Sequence, residues 1–220
     1  MGISGITIIE RFSFEELERR LRTVPLKGDQ TIHPYEKARI STKTFYPQEV
    51  NPTTFYLLRN GLKLHESLRA YFLTYGIDIL HLDGGITFDV EGLPEAERRK
   101  TLIPPIVELT SRVVRFIPQE GEIDYPQSVP VSIPILNDGA HRVMTARQAQ
   151  TDFTAVFVSG ASPEYPFYAH PNSWEQVKIV DHVPHNKHEK KMYIRPDVSF
   201  LYRDFGVLGC GTFRFGGSTT

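Results

Sequence analysis

Cysteine, an excess of charge of one sign and long apolar runs are all scarce in this chain of 220 residues. Cys210 is its one cysteine, so neither an intrachain disulfide nor a cysteine-based zinc site can form. No stretch approaches the roughly 18 apolar residues of a membrane-spanning helix, so we expect no membrane association. The net charge of −1 lacks the basic surplus of a general nucleic-acid-binding protein, which disfavours nucleic acid as a partner.

The expected compartment is the reducing cytoplasm, where a lone thiol persists. The first residues show no signal-peptide pattern, and Ile6 stands where N-myristoylation needs serine or threonine. The length favours one domain with insertions. We expect this domain to cover residues 1–208, with its core at about 45–158, and a glycine-rich tail to follow at 209–220.

Apolar periodicity predicts an α/β (or α+β) chain. Strands are expected at residues 3–9, 77–82, 86–90, 102–109, 113–117, 132–136 and 153–158. Helices are expected from residue 14, after a Ser13 cap, and at 62–74 and 143–150.

Prolines, glycines and polar segments separate these predicted helices and strands. A proline pair at residues 104–105 marks either a strand entry or a sheet edge. Asp83-Gly84-Gly85 predicts a hairpin turn between two strands. Residues 28–52 are polar and contain prolines, so we expect them to wrap the surface irregularly, and 91–100 to form an exposed, charged insertion.

The densest chemical cluster lies where a predicted strand meets a helix, at Asn137-Asp138-Gly139-Ala140-His141-Arg142. Glycine permits a positive φ, and a helix N-terminus presents unpaired N–H groups and partial positive charge, which together favour a phosphate. Arg142 has a fork of donors suited to phosphate oxygens, and His141 can exchange a proton near neutral pH. Asp138 can bind Mg²⁺ together with phosphate oxygens, or act as a base. The residues alone equally allow Asp138 to be a helix cap and Arg142 to be solvated.

Residues 135–148, Ile-Leu-Asn-Asp-Gly-Ala-His-Arg-Val-Met-Thr-Ala-Arg-Gln, resemble the signature loop of the ParB/sulfiredoxin-like superfamily. Residues 100–107 resemble its Pro-Ile-Val strand, and residues 46–52 resemble the segment that opens its first helix. The three blocks stand in the order of that superfamily. The resemblance implies a mixed sheet flanked by helices, with insertions between the blocks.

The closest branch by this loop is the one of free-serine-kinase-like proteins, in which the loop binds nucleotide phosphates. The resemblance therefore implies a nucleotide-dependent phosphotransferase that acts on a small hydroxyl-bearing molecule, with ATP, ADP or another nucleotide and Mg²⁺. It makes Glu49 the candidate base, with Asp138 and His141 as further catalytic residues. The implied phosphate-binding set is Asp138, Gly139, Ala140, His141, Arg142 and Thr145, and Asp138 is the implied metal ligand.

This chain departs from that branch at two positions. Ala140 replaces the first histidine of an Asp-Gly-His-His-Arg loop, and Gln48 stands where the first block has histidine. The same Ala140 occupies the slot of the cysteine through which sulfiredoxin works, which disfavours a sulfinic-acid reductase.

Two other functions fit the same resemblance. One is a nucleotide-binding regulatory or adaptor protein of the ParB type, without turnover, although no helix-turn-helix pattern follows residue 158. The other is a ParB-like nuclease, which the near-neutral charge disfavours. The sequence leaves the assembly open between a monomer and a homodimer.

Three further features each have two interpretations, and a fourth has one. Trp174 fits the core or the wall of a substrate pocket, and Glu66 fits a solvated helix face or a base that rivals Glu49. A histidine triplet with zinc-site spacing fits a solvated loop or a basic flap that closes over phosphates; its members are His182, His185 and His188. The adjacent Arg203 and Asp204 are expected to pair with each other.

Overall fold

The structure of the chain, a computed structural model, describes residues 5–115, 128–167, 172–185 and 200–209. The helices are α1 (Phe14–Arg22), α2 (Arg59–Thr74), α3 (Glu95–Arg98) and α4 (Ala140–Gln148). The strands are β1 (Ile6–Ser13), β2 (Arg39–Phe45), β3 (Asn51–Pro52), β4 (Tyr56–Leu58), β5 (Gly84–Val90), β6 (Arg99–Leu102), β7 (Ile106–Arg115), β8 (Ser128–Asp138), β9 (Phe153–Ser159) and β10 (Lys178–Val180).

A mixed five-stranded sheet with the order β2-β9-β7-β8-β3 forms the centre of the fold. Its β7–β9 and β3–β8 pairs are parallel, whereas β2–β9 and β7–β8 are antiparallel. A second, antiparallel sheet has the order β1-β5-β6, and β10 pairs in parallel with β4. This mixture of helices with mixed sheets confirms the predicted α/β (α+β) class.

The central sheet buries side chains on both of its faces. Along β9, Phe153 and Ala155 lie in the core that α4 covers, while Val156 and Val158 lie in the core that α1 covers. This alternation follows from the two-residue period of a strand. Helix α2 contributes to the first of these cores and also to a third core, against β5, so it joins the two sheets.

The ends of the first two helices confirm their sequence signals. The Ser13 side chain accepts a hydrogen bond from the Glu16 amide at 3.4 Å, which caps α1, and Leu17 and Leu21 are buried. Helix α2 begins three residues earlier than predicted and ends at Thr74, two residues before Gly76, whose φ of +71° suits a helix stop.

The prediction of irregular structure throughout residues 28–52 was wrong, because β2 occupies the middle of that segment. All seven residues of β2 pair with β9, and Ile40 and Phe45 point into the cores. The strand reads as polar because it forms an edge of the sheet, where most of its other side chains are exposed. The polar composition of β2 therefore reflects its position at the sheet edge.

Residues 77–82 form a turn, and the prediction of a strand there was also wrong. The Asp78 carboxylate accepts a hydrogen bond from the Leu80 amide at 3.0 Å and pairs with Arg69 at 2.7 Å. Such a side-chain-to-backbone bond competes with strand pairing. Residues 84–85 consequently begin β5 and pair with β1, so no hairpin turn forms at Asp83-Gly84-Gly85.

The prolines at 104–105 precede a strand entry, since β7 begins at Ile106 and lies centrally between β9 and β8. The sheet-edge alternative was wrong. The charged segment 91–100 holds α3 and the start of β6, and most of its residues are exposed. No helix within the described ranges has the length and apolar character needed to cross a membrane.

Candidate phosphate-binding site

The turn between β8 and α4 requires a glycine for two separate reasons. Gly139 has a φ of +89°, in the left-handed region that other residues rarely adopt. A Cβ atom at this position would lie 2.8 Å from the Pro105 Cβ atom and 2.9 Å from the Pro105 Cα atom. The turn therefore packs closely on the residue that precedes β7.

Helices α2 and α4 pack side by side and run in the same direction. The ring of His141, in the first turn of α4, contacts Gly61 and stacks on His65 of α2. Further along both helices, Arg69 and Leu73 of α2 share a groove with Thr145 and Gln148 of α4. Because the residue numbers rise together along both helices, their N-termini lie at the same end of the groove.

Neither of these two N-termini has a side-chain cap. The N-cap residues are Leu58 and Gly139, whose side chains cannot accept a hydrogen bond from the first-turn amides. Each helix start thus presents N–H groups without helical partners, and the positive ends of two helix dipoles add. Arg59, half-exposed at the start of α2, adds a further positive charge and pairs with the exposed Asp181 at 2.7 Å. The combination favours an anion.

Two imidazoles lie between the helices. The rings of His65 and His141 are stacked, with centroids 5.3 Å apart and planes within 5° of parallel. His65 Nδ1 donates to the Gly61 carbonyl at 2.8 Å, whereas His141 Nε2 is buried with no hydrogen-bond partner among the described residues. Burial lowers the pKa of His65 to about 3, and burial is also the main cause that lowers the pKa of His141. Both rings are therefore neutral at physiological pH.

Arg142 lies beneath the turn. It is 3% exposed, and its guanidinium donates a hydrogen bond to the Ile103 carbonyl. The Asp138 carboxylate stands 4.0 Å away and is half-exposed. Arg142 thus anchors the segment before Pro105, on which Gly139 packs, and is not placed to contact a phosphate in solution.

Other residues of the expected phosphate-binding set also serve the helix itself. The buried Thr145 donates its hydroxyl to the His141 carbonyl at 3.0 Å, and Ala140 packs on the core beneath α4. Of the side chains of the turn, the Asp138 carboxylate is half-exposed, whereas Ala140 and His141 are only partly exposed.

Glu49 lies away from the turn. Its carboxylate accepts a hydrogen bond from the Tyr46 amide at 2.5 Å and so closes the 3-10 turn Pro47–Glu49. The pairing of β3 with β8 sets Asn51 level with Ile135, three residues before Asp138. Three strand residues span about 10 Å, so the register places Asn51 about that far from the turn. Glu49 precedes Asn51 in the 3-10 turn, which packs against α4.

The two candidate substrate residues have different surroundings. Trp174 is 4% exposed, and its indole N–H donates to the Pro47 and Val50 carbonyls at 2.7 and 3.0 Å. It therefore serves the core. Glu66 is exposed at the groove between α2 and α4, a cavity of about 380 Å³, and directly follows His65 in α2.

The histidine triplet is only partly described, because His188 lies outside the described residues. The rings of His182 and His185 stack with centroids 5.3 Å apart on an exposed segment. Across the described part of the chain, no group of three or more His, Cys, Asp or Glu side chains is arranged to hold a metal ion. The Asp138 carboxylate still fits a Mg²⁺ ion that arrives with its ligand phosphates, because that ion commonly takes few protein ligands.

Sequence reasoning missed three α2 residues of the site: Arg59, Gly61 and His65. It placed the start of the helix at Leu62, so the first turn of α2 was not recognised as a second helix N-terminus. The signal that was available is a glycine and a histidine four residues apart on one helix face.

A buried polar network lies directly under the first residue of the turn. Glu108, in the middle of the sheet, accepts hydrogen bonds from the Tyr35 hydroxyl at 2.7 Å and from the side-chain amide of Asn137 at 2.9 Å. Arg203 donates to the same carboxylate at 2.8 and 3.2 Å. The expected pairing of Arg203 with Asp204 was wrong. Arg203 instead pairs with Glu108, because a carboxylate buried in the sheet needs an opposite charge beside it.

The family model of the ParB CE domain matches residues 16–180, about three quarters of the chain, including the turn and both helices that flank the candidate site. No curated protein matches the chain significantly, and no solved structure does.

Proposed function

This chain belongs to the ParB CE domain family, and from that premise we propose that it is a nucleotide-dependent phosphotransferase acting on a small hydroxyl-bearing molecule. The phosphates of the nucleotide bind at the paired N-termini of α2 and α4. One observation carries the proposal: the N-termini of two parallel helices lie at the same end of the groove between them, and neither N-terminus has a side-chain cap.

The chemistry of phosphate binding explains why such an arrangement is stable. Two adjacent positive helix ends repel each other, and an anion placed between them converts that repulsion into attraction. The amides of residues 140 and 141 and of the first turn of α2 are the proposed donors, with Arg59 as the charged group.

Asp138 is the carboxylate that we propose for the reaction, because it is half-exposed at the turn itself. Phosphoryl transfer needs positioned phosphates, neutralised charge and one carboxylate to orient the attacking hydroxyl. Glu49 is a less suitable candidate in this geometry, since its carboxylate closes a turn on the far side of Asn51. When Mg²⁺ accompanies the nucleotide, it supplies charge neutralisation, and Asp138 is the side chain that would hold it.

Thermal-shift measurements with ATP, ADP, GTP and CTP, each with and without Mg²⁺, test nucleotide binding directly. Specific binding raises the apparent Tm by mass action, by an amount that grows with ligand concentration. We expect such a rise for at least one nucleotide. If no nucleotide raises the Tm even at millimolar concentration, the proposed function is wrong.

Asn60→Glu tests the location of the phosphates. Asn60 is exposed in the first turn of α2, where a carboxylate interacts favourably with the helix dipole and stabilises the fold by about 0.5 kcal/mol. The same carboxylate repels a bound phosphate, so we expect the Kd for the nucleotide to rise about tenfold. Calorimetric titration measures the Kd, and thermal unfolding measures the stability.

Thr74→Glu is the matched control for that variant. It makes the same change in net charge at an exposed position in the last turn of α2. We expect its Kd for the nucleotide to equal that of the wild type. Equal weakening by both variants would mean that net charge acts at long range and would remove the phosphates from the paired N-termini.

Asp138→Asn separates binding from transfer. We expect this variant to bind nucleotide in the absence of Mg²⁺ as the wild type does, but to lose phosphotransfer by about 100-fold or more, as expected when a positioned carboxylate is neutralised. Transfer is measured by ³¹P NMR across a panel of small alcohols and hydroxy acids. Glu49→Gln is the comparison variant, and wild-type transfer by it would exclude Glu49 as the base.

The nucleotide-binding adaptor is the outcome if the wild type binds nucleotide but transfers no phosphoryl group to any member of the panel. In that case the paired N-termini remain the proposed phosphate site, and the bound nucleotide would act by changing the position of α2 relative to α4.

A further inference from the structure

The described C-terminal segment, residues 200–209, is attached to the body of the fold by a short ladder of hydrogen bonds. The Lys27 and Gly28 amides donate to the Tyr202 and Phe200 carbonyls at 2.7 and 3.1 Å, and the Asp204 amide donates to Pro25 at 2.9 Å. This segment, which we name the strap, lies outside residues 16–180, the range that matches the family model.

The strap inserts one charged side chain into the core. Arg203 is 3% exposed and sits over the rings of Tyr35 and Phe167, with its guanidinium carbon 5.4 and 5.5 Å from their centroids. It donates to both carboxylate oxygens of Glu108. It also donates to the Leu201 carbonyl at 2.7 Å and to the Tyr165 carbonyl at 3.0 Å, so its donors are largely satisfied.

Glu108 connects Arg203 to the candidate site. The carboxylate is 2% exposed, and an ion buried so deeply requires an opposite charge. One of its oxygens accepts hydrogen bonds from Arg203, the Tyr35 hydroxyl and the Asn137 amide. The Asn137 amide also donates to the Tyr35 hydroxyl at 2.9 Å.

Asn137 immediately precedes Asp138, the half-exposed carboxylate of the turn. Its side chain faces the network, on the side of the sheet away from α4, while its backbone leads directly into Gly139 and the first amides of α4. We therefore expect a change in the orientation of the Asn137 side chain to change the position of the turn that follows β8.

We propose that Arg203 and Glu108 are positioning residues for the phosphate-binding turn: Arg203 of the strap holds the Glu108 carboxylate in place, and Glu108 fixes Asn137 and hence the amides of residues 139–142. This inference deepens the proposed function, since it concerns the same site. The site of this chain is thus completed by a segment outside the family-matched range.

Hydrogen exchange of the ligand-free protein, followed by mass spectrometry, tests the inference without any nucleotide. In Arg203→Met we expect exchange in peptides covering residues 137–145 to accelerate about tenfold or more, with the β1–β5 sheet unchanged. Arg99→Met is the matched control, because it removes an arginine that pairs with Asp89 at the surface of the second sheet. We expect that variant to leave residues 137–145 as protected as in the wild type.

The double variant Glu108→Gln/Arg203→Met identifies the route of the effect and also serves if the single variant fails to fold. The amide oxygen at position 108 still accepts from Asn137 and Tyr35, but no buried charge is left uncompensated. We expect the double variant to fold and to regain wild-type protection at residues 137–145.

Two results would overturn the inference. One is a loosened strap in Arg203→Met, with faster exchange at residues 25–28 but an unchanged turn, which would make the strap ordinary terminal packing. The other is a double variant whose turn exchanges much faster than that of the wild type, which would show that Arg203 does not act through the charge of Glu108. Neither result depends on nucleotide binding, so the proposed function is tested separately.

Discussion

Gly139→Ala is expected to lower the free energy of unfolding by about 3 kcal/mol and to abolish nucleotide binding. The left-handed backbone at Gly139 costs an L-residue about 1–2 kcal/mol. The added methyl group would also lie 2.8 Å from the Pro105 Cβ atom, and such overpacking costs about 1–3 kcal/mol more. Relief of this contact moves the turn away from Pro105, so the amides of α4 no longer meet those of α2. Denaturant unfolding measures the first effect and calorimetric titration the second.

Gly160→Ala separates the two causes. Gly160 also has a positive φ, +67°, but a Cβ atom there would meet nothing within 4 Å. We expect this variant to lose only about 1.5 kcal/mol, the conformational part, and to bind nucleotide as the wild type does. Equal destabilisation by both variants would show that the contact with Pro105 does not hold the turn. Retained binding in Gly139→Ala would remove the turn from the site.

Acid is expected to destabilise the protein through His65 by about 2.5 kcal/mol between pH 7.5 and pH 4.5. Burial lowers the pKa of His65 in the fold to about 3, from the ordinary histidine value of 6.5. Between these two values the unfolded chain binds a proton that the folded chain does not bind. The contribution of His65 to stability is therefore fully present above pH 6.5 and is lost as the pH falls towards 3. The lowered pKa of His141 acts in the same direction.

The variant His65→Leu isolates this contribution from that of the carboxylates. Denaturant unfolding at both pH values gives the acid-induced loss of stability for each protein, and we expect the loss to be about 2.5 kcal/mol smaller in the variant. His81→Leu is the control, since it removes a histidine ring that is 37% exposed. The same acid-induced loss in the wild type and in His65→Leu would mean that His65 is protonated in the folded protein without cost.

The same protonation bears on the site. A positive His65 would lie near the positive Arg142 guanidinium, whose charge already contributes to the lowered pKa of His65, and like charges repel in a buried setting. We expect this repulsion to push the helices apart and so to separate the two N-termini proposed to bind phosphate. The acid limit of stability and the acid limit of nucleotide binding should therefore coincide.

Local patterns predicted the piece of the fold that carries the turn. The strand before Asn137, the glycine at 139, the helix after it and the strand at 153–158 all depend on residues within a few positions of one another. The same is true of the Ser13 cap and of Gly76 after α2. The errors arose where local and distant preferences conflict, as at β2, whose polar residues gain structure only by pairing with β9.

The sequence by itself determined the strand–turn–helix at Gly139, the mixed α/β class and the resemblance that the ParB CE match supports at family level. The tertiary structure alone decided which side chains reach the surface of the site. It buries Arg142 under Ile103, separates Glu49 from the turn, and brings Gly61 and His65 against His141, about eighty positions along the chain. The physical reason is that φ preferences and periodicity act between neighbours, whereas burial and charge pairing depend on which distant segments pack together.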